Sequence, residues 1–284
     1  MRARKRFAQH FLEPAWVTKV VKAVDARPQD CILEIGPGRA AITRPLAALC
    51  GRLLAVEVDR DLAAELEATK PANVTVLVGD VLNLDLAAAL SDWLGTPLGP
   101  EQAVRVVGNL PYNISSPILF SLLGLAADTG GVRDAILMLQ KEVADRLVAK
   151  VGTSDYGVLT VLTAVQADVT RLLSLPPGAF RPAPQVQSAV VRLAFHAPAV
   201  AIPDMAGFVR MVRTTFTQRR KTLSNALKPY GVERSVAPVA ALAAAGIDAR
   251  RRPETLELVE MAALFRAFQG HRSDTDHGHR LDTD

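Results

Sequence analysis

Two periods of hydrophobic spacing follow one another along most of the chain. Behind Glu13-Pro14, the residues Trp16, Val17, Val20, Val21 and Val24 recur at helical spacing and predict a helix with proline in its first turn. The period then shortens. Cys31 to Ile35 is an apolar strand that runs straight into Gly36-Pro37-Gly38-Arg39-Ala40-Ala41. Ile42 to Cys50 reads as a helix, Leu53 to Asp59 as a second strand closed by acids, and a further helix extends to about Thr69. Val74 to Val78 is a third strand ending at Gly79-Asp80. A Leu/Ala-rich helical connection leads to a fourth, Val104 to Val107, which opens into Gly108-Asn109-Leu110-Pro111-Tyr112. Ser115 to Leu125 and Lys141 to Ala149 read as helices on either side of a fifth strand, Asp134 to Leu139. Val158 to Val165 fits helix and strand equally. Val169 to Leu175 and Ala189 to Phe195 predict an antiparallel hairpin joined by residues 176–184, a proline-rich rigid loop expected to expose Phe180.

Strands alternating with helices predict an α/β fold, a mostly parallel sheet covered on both faces, whose ligands lie beyond the carboxyl ends of the strands. From Met205 onward the texture is helical: Phe208, Val212, Phe216, Leu223 and Leu227 keep an apolar face, and 236–245 and 256–268 add two helices. The expected organisation is a catalytic domain over 1–200 with a basic N-terminal arm, a small all-α domain over 201–270, and a polar, aperiodic tail over 271–284 expected to be disordered.

With 284 residues, 49% apolar and 22% charged, the chain has enough apolar content for a substantial core. No run is long and charge-free enough to span a bilayer, and the basic start Met1 to Arg6 has no apolar segment behind it, so a soluble cytoplasmic protein is expected. Cys31 and Cys50 lack metal-ligand spacing and read as reduced core residues; the histidines at 271, 277 and 279 read as tail, and no metal is expected. Net charge is only +4, but residues 1–22 carry six Lys/Arg against Glu13, and 204–228 six against Asp204. Such clusters fit a polyanion partner as well as they fit solvated helix faces.

Candidate chemistry falls at the strand ends. Gly36 and Gly38 let backbone approach a ligand, and Glu57 stands nineteen residues past Gly38, where an acid accepts ribose hydroxyls. That pairing serves NAD and S-adenosylmethionine alike. Asp80, suited to accept from the amino group of the cofactor's adenine, and the Asn109–Tyr112 stretch favour the sulfonium cofactor. The Asn109 amide oxygen accepts an amine N–H. Pro111 leaves the Leu110 carbonyl free to accept another, and Tyr112 offers a face for stacking. Two acceptors and one ring suit the amino group of a target adenine.

These stretches, with Lys5 to Leu12, Glu34 to Gly38, Asn109 to Pro117, Met138 to Val143, Phe180 to Val191 and Phe216 to Lys221, resemble the ribosomal RNA adenine N6,N6-dimethyltransferases, from about Lys5 to Phe268. Ala8 replaces a usual glycine. The resemblance implies a Rossmann-like class I S-adenosylmethionine-dependent methyltransferase with a seven-stranded sheet. It further implies dimethylation of two adjacent adenines near the 3′ end of 16S rRNA within the immature small ribosomal subunit, by a monomer with a role in ribosome biogenesis. By the same resemblance His10 and Leu12 cover the cofactor's methionine part and Gly36 lends backbone beside it. Glu57 holds the ribose, Asp80 the adenine amine, and Asn109 faces both cofactor and target. Leu110, Pro111 and Tyr112 form the target pocket, with Phe180 stacking from the other side. Arg4, Lys5, Arg6, Arg219, Arg220 and Lys221 are implied RNA contacts. The related large-subunit enzymes fit less well at Ser115-Ser116-Pro117 and Gln218 to Lys221.

Overall fold

The computed structural model describes residues 11–270. Strands are β1 (Phe11–Leu12), β2 (Cys31–Ile35), β3 (Arg52–Glu57), β4 (Val74–Val78), β5 (Val104–Asn109), β6 (Val132–Gln140), β7 (Ala167–Leu175), β8 (Phe180–Arg181) and β9 (Ser188–Phe195). Helices relevant below are α1 (Pro14–Val24), α2 (Thr43–Ala47), α3 (Arg60–Thr69), α4 (Leu86–Leu94), α5 (Ser115–Thr129), α6 (Lys141–Leu147), α7 (Val158–Ala164) and α8 (Met205–Thr217). Helices α9 (Leu223–Ala226), α10 (Lys228–Arg234), α11 (Pro238–Ala244) and α12 (Leu258–Gly270) follow.

Seven strands form one sheet in the order β4-β3-β2-β5-β6-β9-β7. The five from β4 to β6 are parallel, and β9 and β7 close the sheet antiparallel. This is the predicted α/β architecture with its terminal hairpin. The central strand β2 is apolar nearly throughout because both its faces are covered, whereas in the edge strand β4 only Val74 is buried. Strand β5 runs two residues further than the pattern suggests, so Asn109 is its last paired residue, opposite Met138. The helix read over 42–50 is confined to Thr43–Ala47, and the ambiguous 158–165 stretch is α7.

At the start of β5, Arg105 locks the end of the sheet away from the strands' carboxyl termini. Its Nε and Nη2 donate to Asp134 at 2.7 and 2.9 Å, and Nη1 donates to Asp30 at 3.0 Å. The same guanidinium reaches the carbonyls of Val24 and Asp25, the last turn of α1. Buried charge of this kind is tolerated because every donor is matched.

Two compact units emerge. One comprises the described residues up to Val148 together with Gln166–Ala197; the other comprises Ala149–Val165 with the described residues from Pro198 on. The single boundary expected near residue 200 is therefore corrected: residues 149–165 pack in the helical unit. Tyr156 explains why. Its ring lies 6.1 Å from that of Phe216, its hydroxyl donates to the Leu256 carbonyl at 2.8 Å, and nearby the Gly152 N–H donates to Glu254 O at 2.7 Å. The helical core is completed by edge-to-face pairs Phe208–Phe265 and Tyr230–Phe268. The expected tail over 271–284 lies outside the described residues.

Candidate active site

The carboxyl ends of β2, β3, β4 and β5 point the same way because the strands are parallel, and one cleft opens there. It holds about 1170 Å³ of free space continuous with solvent. After β2 the chain turns through left-handed backbone at Gly36 (φ +71°), Gly38 (φ +55°) and Ala40 (φ +61°). Glycine is demanded at Gly36 by the dihedral and not by crowding, since a Cβ there would meet nothing within 4 Å. The bare backbone faces the cleft.

Glu57 fastens this loop. Its Oε2 accepts the Gly38 N–H at 3.0 Å and its Oε1 accepts the Asp59 N–H at 2.9 Å. Burial raises its pKa above the ordinary carboxylate value, and the backbone N–H bonds from Asp59 and Gly38 pull it back. Capping of α3 falls to Asp59, which accepts from Asp61 and Leu62, so Glu57 is not a helix cap. Asp80 lines the cleft beyond β4 and also organises its own turn, accepting from the Leu82 N–H at 3.0 Å and the Asn83 side-chain amide at 3.1 Å.

On the β5 side, Asn109, Leu110, Pro111 and Tyr112 all line the cleft. The Leu110 N–H donates to Met138 O at 3.3 Å, and its side chain is buried. Close packing behind it leaves Gly108 no room: a Cβ there would lie 2.8 Å from Leu110 Cδ2 and 3.1 Å from Ile35 O. The Tyr112 hydroxyl meets Ser188 Oγ at 2.8 Å, and burial holds its phenol above the ordinary value, with the Ser188 bond acting the other way.

Of the residues singled out in the sequence, Leu12, Gly36, Glu57, Asp80, Asn109, Leu110, Pro111 and Tyr112 converge on this cleft. His10, Arg4, Lys5 and Arg6 lie outside the described residues. Phe180 does not line the cleft, and its expected exposure is corrected: the side chain is 1% exposed, packed in the core with Leu175 and Ala179. The loop is held down by pairing of Leu12 with Phe180, by the Glu13 N–H on Ala179 O (2.9 Å) and by the Arg181–Glu13 ion pair (2.7 Å). Those ties turn the aromatic inward. The triplet Arg219-Arg220-Lys221, expected on a helix, sits in the turn after α8. There Arg219 donates to the carbonyls of Thr153 (2.8 Å) and Ser154, while Arg220 and Lys221 are exposed.

Three cleft residues escaped the sequence reading. Phe11 packs on Gly38, with the Arg39 guanidinium 4.3 Å from its ring centre. Glu34 is a lone acid inside an apolar strand, which is itself a readable signal. Its carboxyl is 3% exposed, Oε2 has no hydrogen-bond partner, and burial pushes it up to about 7. Among the described residues no group of three or more His, Cys, Asp or Glu is placed to hold a metal, and no helix is long and apolar enough to cross a membrane.

Residues 1–266 match the family model described as ribosomal RNA adenine dimethylase. The chain is 44% identical over 267 residues to the ribosomal RNA small subunit methyltransferase A of Laribacter hongkongensis, covering 92% of this chain and 94% of that protein. A protein of the same name from Geobacter metallireducens is 44% identical over 273 residues, covering 94% and 96%. In fold, the chain is similar to a dimethyladenosine transferase from Plasmodium falciparum (TM-score 0.72, 23% identity, 92% of this chain and 98% of that one). It is also similar to the 23S rRNA methyltransferase ErmE (TM-score 0.62, 24% identity, 91% and 99%).

Proposed function

The chain belongs to the ribosomal RNA adenine dimethylase family, and from that premise we propose that it transfers methyl groups from S-adenosylmethionine to the N6 amines of two adjacent adenines near the 3′ end of 16S rRNA, in the immature small ribosomal subunit. The observation that carries this reading is the gathering of Glu57, Asp80, Asn109, Leu110 and Tyr112 on one cleft rim.

The cleft suits the cofactor. Open backbone at Gly36 admits a ligand, Glu57 keeps acceptor capacity for ribose hydroxyls, and Asp80 lies beside apolar Val58 and Val81, which can sandwich a purine. Leu12 covers the methionine end, together with His10. When bound, the cofactor supplies an electrophilic methyl group on its sulfonium.

The protein's task is to make a poor nucleophile reactive. The lone pair of an adenine amine is delocalised into the ring. The Asn109 amide oxygen and the Leu110 carbonyl accept its two N–H groups and favour the pyramidal, charge-bearing nitrogen over the flat one, an interaction stronger in the transition state than in the ground state. Tyr112 stacks on the base and sets its angle to the incoming methyl group. No side chain removes a proton before attack; the methylated nitrogen is acidic and loses one to water afterwards. The adenine must be unpaired or flipped to enter. After one transfer a single N–H remains, so the second proceeds with one hydrogen bond fewer. Arg220 and Lys221, with the N-terminal Arg4, Lys5 and Arg6, neutralise RNA phosphates. The enzyme acts as a monomer in the cytoplasm.

Incubation with methyl-labelled S-adenosylmethionine and separated immature small and mature large subunits, followed by mapping of modified nucleotides, tests the reading. Label is expected on two neighbouring adenines near the 3′ end of the small-subunit RNA. Label on large-subunit RNA alone would overturn it.

A further inference from the structure

Ser188 has no part in the chemistry outlined above, yet its surroundings are unusually well fixed. It is the first residue of β9, paired on one side with Gln140 of β6 and on the other with Leu175 of β7. The preceding Gln187 carbonyl accepts the Lys141 N–H at 2.9 Å where β6 passes into α6. The side chain is 2% exposed, and its hydroxyl lies 2.8 Å from the Tyr112 hydroxyl. Tyr112 itself is on an irregular turn between β5 and α5, tied by the Ile114 N–H on Pro111 O and the Ser115 hydroxyl on Tyr112 O (3.1 and 3.3 Å). Those bonds hold the backbone, and the ring's direction is set by its side-chain torsions. A hydrogen bond at the para oxygen, the far end of the ring, holds the direction of the ring's long axis.

We propose that Ser188 is a positioning residue for methyl transfer: through its hydrogen bond to the Tyr112 hydroxyl it holds the tilt of the ring on which the target adenine stacks. The inference rests on the reading of Tyr112 as the stacking face. It assigns the antiparallel hairpin a part in the reaction. Met138 of β6 takes the Leu110 N–H and is paired with Asn109, so β6 steadies the two acceptors while β9 steadies the ring. An in-line displacement is steeply dependent on geometry, and a ring tilted by a fraction of a radian shifts the amine by the order of 1 Å, enough to slow the chemical step about a hundredfold. Substrate affinity depends chiefly on stacked area and phosphate contacts, which the tilt barely alters.

The test is a double-mutant cycle with Ser188→Ala, Tyr112→Phe and the pair, on the full chain with immature small subunits. Single-turnover methyl transfer, KM for the subunit and calorimetric affinity for S-adenosylmethionine are measured for each, with melting temperatures to confirm folding. Each single change is expected to slow transfer about tenfold or more, with KM and cofactor affinity within about twofold, and the double variant should be no slower than the slower single one. Losses that multiply, a wild-type rate in Ser188→Ala, or a loss appearing in KM alone would overturn the proposal. If Ser188→Ala fails to fold, Tyr112→Phe decides: it removes the same bond while keeping the ring, and a wild-type rate there is equally fatal. Failure of the underlying reading looks different, since then Tyr112→Ala, which removes the ring, would also transfer methyl groups at the wild-type rate.

Discussion

The Gly38 N–H donates to Oε2 of Glu57 at 3.0 Å, which makes the glycine loop after β2 and the acid ending β3 a single object. Replacing Glu57 by alanine therefore does two things. It removes the proposed ribose acceptor, and it strands the N–H groups of Gly38 and Asp59, at a cost of about 1–3 kcal/mol for each one left buried and unpaired. Calorimetry should find cofactor affinity lowered by more than about tenfold, with a lower melting temperature in the apo protein. An unchanged melting temperature would mean that water replaces the carboxylate at no cost.

Asn109 ends β5 with its backbone paired to Met138 and its side chain at the cleft. Asn109→Ala should slow methyl transfer by a factor on the order of a hundred or more, the usual effect of losing a group that acts on developing charge. Cofactor affinity should change by less than about threefold. Equal losses in both would place the residue on the cofactor instead.

Glu34 gives the protein a built-in pH dependence. Burial raises its carboxyl from 4.5 to about 7; the Thr43 hydroxyl opposes the rise and the Glu57 charge adds to it. The folded state thus favours the protonated form. Its contribution is full below the unfolded value and is lost as pH climbs from about 4.5 through about 7, a change on the order of 3 kcal/mol. Glu34→Gln is neutral throughout and should exceed the wild type in urea stability at pH 8 while matching it near pH 4.5. Parallel pH profiles for the two proteins would refute this.

Phe180 is a core residue despite its proline-rich setting. Phe180→Ala should destabilise the protein by about 3–5 kcal/mol. Phe180→Leu, which keeps most of the volume, should retain methyl transfer within a few-fold once scaled to the folded fraction. A collapse of activity in Phe180→Leu at unchanged stability would show that the ring does reach the substrate.

Basic residues of the turn after α8 divide by role. Arg219 is engaged by the Thr153 and Ser154 carbonyls, so Arg219→Ala should lower the melting temperature. Arg220→Ala and Lys221→Ala should leave stability within about 0.5 kcal/mol. Together they should reduce the salt dependence of RNA binding, the slope of log K against log salt falling by about one to two. Filter binding across a salt series distinguishes the two classes.

Most of the sheet was legible because strands covered on both faces write themselves as unbroken apolar runs, and the rim was legible because each run stopped at a glycine, an acid or an asparagine. Two of the failures share a cause, partners that leave no local mark. Phe180 sat among prolines, and composition cannot say which way a loop's aromatic turns; that depended on pairing with Leu12, some 168 residues away. Arg219 belonged to a charge cluster, but its partners are backbone carbonyls, which leave no mark in a sequence. Glu34 is different: an acid inside an apolar strand is legible in the sequence, but its burial follows only from the cover that the folded sheet provides.

Residues 149–165 leave the sheet-bearing unit and return to it, packing Tyr156 and α7 with helices that lie beyond residue 198. The polypeptide is thus stitched through its two halves three times, at 148/149, 165/166 and 197/198. A gene fragment ending near residue 200 would strand an oily stretch that has lost its neighbours. Excising the helical half cleanly requires bridging Val148 to Gln166 as well, and any recombination that exchanges this half between relatives must carry both pieces across together.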